Sequence, residues 1–127
     1  MKSKILILLS AAVLLIGFSG CYKDILSPGQ DPTAPPQDVS FSGDLQPIFT
    51  ASCALSGCHD GTGHNPSLTA ATSYTAIIAG GFINTVVPAN SILYDEVKSG
   101  NMPPTSALKP SDVQKILDWI RNGAKNN

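Results

Sequence analysis

The side chains with the most chemistry lie in one short stretch, Cys53-Ala54-Leu55-Ser56-Gly57-Cys58-His59, with His64 close behind. Two cysteines followed directly by a histidine is the arrangement that attaches a c-type haem. Each sulfur adds across a vinyl group to form a thioether, and the adjacent imidazole is held beneath the iron as its proximal ligand. The usual spacing leaves two residues between the cysteines, whereas here there are four, Ala54 to Gly57. The wider gap calls for a bulged loop, and Gly57 supplies backbone freedom for it. Two other chemistries are open to the same residues. A Cys53–Cys58 disulfide suits an oxidising compartment. Cys53, Cys58, His59 and His64 are also the donor types of a zinc site, although His59 abuts Cys58 awkwardly for binding one ion.

A second axial ligand is sought on the opposite face of such an iron, and a thioether there favours the ferrous state. The chain has two methionines, and only Met102 lies beyond the N-terminal leader. It stands in Gly100-Asn101-Met102-Pro103-Pro104. Pro103 biases Met102 toward extended backbone and Pro104 stiffens the next residues, which makes a rigid ligand loop. A lone methionine is more often core filler. His64 comes too soon after His59 to reach the opposite face and reads as a solvated loop residue. A backbone carbonyl near Asn65-Pro66 is placed to accept the proton of the other His59 nitrogen and fix the ring.

These residues must be positioned by short helices. Leu45, Ile48 and Phe49 recur at helical spacing, with Ser42 as the expected N-cap and Pro47 near the helix start. Residues 52–68 read as loop. Ser73 is expected to cap a helix through Ile77 and Ile78 that ends at Gly80-Gly81. Residues 82–87 are apolar and β-branched but meet Pro88, which predicts an extended connector or a lone strand. Another helix starts at Asn90 or Ser91 and stops near Gly100. The last helix carries Val113, Ile116, Leu117 and Ile120 on one face, with a capping box of Ser111 and Gln114. No alternating pattern predicts a sheet.

The N-terminal third has a different character. Lys2 and Lys4 precede an apolar run from Ile5 to Ile16, then Phe18-Ser19-Gly20-Cys21. The run is shorter than the ~20 residues of a membrane span and has the flanks of a signal peptide. Small residues before a cysteine resemble a bacterial lipobox, which implies a lipid-modified Cys21; a plain secretory signal is the alternative. Residues 22–40 contain Pro28, Pro32, Pro35 and Pro36 and little apolar periodicity. They read as a semi-extended linker of up to about 60 Å, at ~3.3 Å per residue, unless part of it packs on the head. The chain divides into a signal peptide (1–20), a lipidated cysteine and linker (21–40), and a folded head (41–127).

Several segments together resemble small monohaem cytochrome c domains of the planctomycete and Bacteroidetes secreted type. They are Asp44-Leu45-Gln46-Pro47-Ile48-Phe49, Cys58-His59, residues 87–94, Met102-Pro103-Pro104 and residues 118–124. The resemblance implies an all-α, class I cytochrome c-like fold of about four short helices around one covalent haem c. It implies thioethers at Cys53 and Cys58, proximal iron ligation by His59 and distal ligation by Met102. It also implies that Leu45, Phe49, Trp119 and Ile120 form the helix crossing or the haem wall. The four-residue cysteine spacing departs from the usual pattern.

The expected function is electron carriage at a bacterial cell envelope, lipid-anchored on the periplasmic side or at the outer membrane, with redox proteins as partners. No enzymatic role is expected. The alternatives are a haem peroxidase or gas sensor that opens by losing Met102, and a haem-free lipoprotein with a Cys53–Cys58 disulfide. A net charge of −1 offers no basic stripe for nucleic acid.

Overall fold

The computed structural model describes residues 34–127. The expected signal peptide and Cys21 lie outside the described residues. Within the described residues there are helices and no strand, an all-α arrangement. A π-helical turn, Phe41–Leu45, runs directly into α1, Gln46–Ser52. After a long loop come α2 (Ser73–Ala79), a 3-10 turn (Pro88–Asn90), α3 (Ile92–Lys98) and α4 (Pro110–Arg121).

The helix starts differ from the sequence expectation at three points. Ser40, not Ser42, caps the first helical turn: its hydroxyl accepts from Gly43 N at 3.1 Å, and its own N–H donates to Asp44 Oδ2 at 3.0 Å. This reciprocal pair satisfies two otherwise orphaned donors. At α2 the N-cap is Thr72, and Ser73 is buried with its hydroxyl donating to Gln46 Oε1 on α1. A tertiary partner has taken the hydroxyl expected to cap. At α4 the Ser111–Gln114 box does not form. The residue before a proline is biased toward extended backbone, and Lys109 (ψ 144°) takes that conformation and becomes the N-cap. Ser111 then sits inside the first turn, and Gln114 donates to Asp118 instead, at 2.9 Å.

The segment 82–87 is a connector. Asn84 Oδ1 accepts from the amides of Val86 and Val87, and Asn84 N donates to the buried Ser91 hydroxyl. Those bonds turn the chain back into α3 where a strand would have needed a partner.

The core lies between the first helix and α4. Leu45, Phe49, Ile116, Trp119 and Ile120 are essentially sealed from water. Phe41 packs against Trp119 and Tyr74, each with ring centroids 5.2 Å apart. Lys115 pairs with Asp44 at 3.2 Å across the same contact. Burying each of these large apolar side chains contributes about 1.5–3 kcal/mol.

The last part of the expected linker belongs to the folded unit. Val39 is buried, Arg121 donates to Ala34 O at 2.8 Å and Asn122 Nδ2 donates to Gln37 O at 2.6 Å. Asp118, also buried, holds Arg121 at 3.3 Å. The C-terminal end of α4 thereby straps residues 34–40 down through their backbone carbonyls. No described helix is long and apolar enough to cross a membrane.

Candidate functional site

Cys53 closes α1: its amide donates to Phe49 O at 2.9 Å, so the helix core sets its position. It is buried, and Cys58 on the next loop is half-buried; both are free thiols. Burial pushes the Cys53 thiol up to about 11, and the nearby Cys58 adds to the effect. A thiol held so far above the ordinary range stays protonated and is a poor metal ligand or nucleophile while buried.

The loop between and after the cysteines is tightly tied. Cys58 N donates to Leu55 O at 2.9 Å, His59 N to Cys53 O at 3.1 Å, and His64 N to Cys58 O at 2.6 Å. Gly57 has φ 77°, a left-handed conformation that glycine adopts without strain. Gly63 lies so close that a Cβ there would collide with the Cys58 carbonyl.

Asp60, directly after the histidine, organises this loop. Its Oδ1 accepts from Thr62 N, Thr62 Oγ1 and Gly63 N, all at 2.9 Å, and its Oδ2 accepts from Gly57 N at 3.3 Å. The bonds from Thr62 lead those that hold its carboxyl down at about 2. Asp60 and Gly63 fall outside the donor pattern that the sequence singles out. Their signal is nonetheless present in Asp60-Gly61-Thr62-Gly63, because Asp with Gly and Thr behind it is a side-chain-capped turn pattern.

His59 is the best-defined group of the site. Its Nδ1 lies 2.9 Å from Pro66 O and 3.1 Å from His64 O. Carbonyl oxygens only accept, so Nδ1 carries the hydrogen, which in the neutral ring leaves the lone pair on Nε2. The expectation of a carbonyl partner near Asn65-Pro66 is met by Pro66. Among the described residues no hydrogen bond reaches Nε2. The His64 main chain, not its imidazole, is what the site uses.

Met102 lies on a separate loop after α3, its amide donating to Glu96 O at 3.0 Å. Its side chain is 40% exposed, which argues against simple core filling. Leu55, inside the cysteine loop, is 46% exposed. No described hydrogen bond joins the Met102 loop to the cysteine loop.

The cysteine loop thus offers two free thiols and one imidazole held through Nδ1 with Nε2 open, and the separate loop after α3 offers an accessible thioether. Among the described residues no group of three or more Cys, His, Asp or Glu side chains is placed to hold a metal ion.

Comparison with protein-family models, with curated proteins and with solved structures finds no match to this chain.

Proposed function

We propose that residues 34–127 form a monohaem c-type electron carrier. The observation that carries this reading is His59. Its Nδ1 is engaged by Pro66 and His64 carbonyls immediately after Cys58, so Nε2 is the nitrogen presented to a ligand. Cys53 and Cys58 would hold haem c through thioethers, with His59 as proximal and Met102 as distal ligand. When bound, the haem supplies a one-electron Fe(III)/Fe(II) couple.

The chain's own residues do the rest. The carbonyls on Nδ1 orient the imidazole and strengthen it as a donor, since a polarised N–H raises electron density on the other ring nitrogen. Met102 offers a soft sulfur that favours the reduced state. With both His59 and Met102 assigned to hold the iron, the reading leaves no residue of the site for substrate chemistry, which favours electron carriage over catalysis. The partners are redox proteins. A lipid on Cys21 would hold the carrier at the bacterial cell envelope, with residues 22–33 as its tether.

A redox-titrated visible spectrum of the full chain, produced with haem-attachment machinery, tests the reading. We expect a haem resistant to denaturing electrophoresis and a sulfur-to-iron band in the oxidised protein. A band that disappears on adding peroxide or carbon monoxide would favour a peroxidase or gas sensor. Absence of covalent haem would leave the haem-free reading.

A further inference from the structure

The carboxylate of Asp60 bridges the two sides of the cysteine–histidine loop, and nothing in the haem-attachment pattern requires an acid there. On one side it accepts from Gly57 N, just before Cys58. On the other it accepts from Thr62 N, Thr62 Oγ1 and Gly63 N, just after His59. The next residue, His64, donates from its N to Cys58 O at 2.6 Å and turns its own carbonyl toward His59 Nδ1 at 3.1 Å. A continuous chain of contacts thus runs from Asp60 through Gly63 and His64 to the proximal nitrogen ring. Asp60 itself is half-buried and has no ion-pair partner among the described residues. Its bonding capacity is directed inward, to four donors of its own loop.

We propose that Asp60 is a positioning residue for the haem iron's proximal ligand, clamping the four-residue cysteine loop so that His59 keeps its Nδ1 hydrogen bonds. This inference rests on the haem-carrier reading above. A two-residue spacing is short enough to hold its own shape; a four-residue spacing has more backbone freedom to remove. The clamp supplies that restraint. Because it acts through the Nδ1 partners, it also bears on the donor strength of Nε2 and so on the potential.

The test uses the full chain, loaded with haem, as wild type, Asp60→Ala and Asp60→Asn. Asparagine keeps an acceptor for Thr62 and Gly63 but sets an N–H₂ group against Gly57 N–H, so it retains only half of the clamp. Three quantities are read: covalent haem per chain by denaturing-gel peroxidase stain, amide exchange at His64, and midpoint potential of the loaded fraction. For Asp60→Ala we expect His64 protection to fall on the order of tenfold, equivalent to one or two lost hydrogen bonds. We also expect a several-fold loss of attached haem and a midpoint potential above wild type, because a slackened Nδ1 bond makes His59 a poorer donor to ferric iron. Asp60→Asn should fall between the two. If the loaded Asp60→Ala protein has the wild-type potential and His64 protection, the positioning role is overturned, whatever the yield. A wild-type chain without covalent haem would instead overturn the carrier reading itself.

Discussion

Gly63 gives the sharpest test of how the site loop is built. A Cβ placed there would overlap the Cys58 carbonyl oxygen, and would lie 2.9 Å from Gly57 C and 3.1 Å from Cys58 C. All three obstacles are main-chain atoms, so no rotamer change relieves the contact. The two segments would have to part, and the 2.6 Å bond from His64 N to Cys58 O would be lost with the close approach. Forced overpacking costs about 1–3 kcal/mol, and one hydrogen bond about 1 kcal/mol. Gly63→Ala should therefore destabilise the closed loop by roughly 2–4 kcal/mol, or about 30- to 1,000-fold at 1.4 kcal/mol per tenfold. Hydrogen exchange at His64 N in the full chain reads the loop directly, and a urea melt reads the whole fold. Gly61→Ala is the useful comparison, since its Cβ meets only the Ser67 and Thr69 side chains, at 3.3 Å or more, although its φ of 91° adds strain. Wild-type protection of His64 N in Gly63→Ala would refute the close packing of the loop around Cys58.

Three further outcomes are expected. At pH 8 a thiol held at about 11 is ionised in roughly one molecule in a thousand, against about a quarter for a free cysteine; in the unloaded chain iodoacetamide should modify Cys58 well before Cys53, and equal rates mapped by mass spectrometry would contradict the burial of Cys53. Met102→Ala should leave the fold within about 1 kcal/mol of wild type, as its side chain is 40% exposed, and should lower the midpoint potential while removing the sulfur-to-iron band. The Ser40 amide and Lys115 hold the Asp44 carboxyl below its ordinary value, so Asp44 stabilises the fold above its unfolded pKa of about 3.9 and stops doing so as pH falls through the lower folded value. Asp44→Asn should accordingly lower the urea midpoint near neutral pH, with the difference from wild type vanishing on acidification; a constant difference across that range would refute the assignment.

Much of the site was legible in the chain because its chemistry is local. Cys53, Cys58 and His59 form a contiguous pattern, and the carbonyl that orients His59 lies at Pro66, within reach of a short loop. The apolar face of α4 comes from helical periodicity alone, as Ile116, Leu117 and Ile120 are all buried. Gly80-Gly81 and Gly100 marked the ends of α2 and α3 for the same local reason. The caps were less legible. Ser42 and Ser111 have the right chemistry for capping, but the choice fell elsewhere once Asp44 reached Ser40 and Lys109, extended before Pro110, became the N-cap.

What only the tertiary structure decided were contacts between segments whose separate sequences give no sign of each other. Ser73 serves Gln46 on another helix. Residues 34–40 look like free linker by composition, yet Arg121 and Asn122 capture their backbone carbonyls and Val39 enters the core. Backbone carbonyls are common to every residue type, so no side-chain pattern announces that docking. Asp60 and Gly63 lie between these cases. Their turn pattern can be read locally, but their hold on Gly57 and Cys58 exists only after the loop has closed in space. The chain itself set which donors are present and their order; folding determined which of them are sealed, which nitrogen of His59 is left to bind, and which residues hold it there.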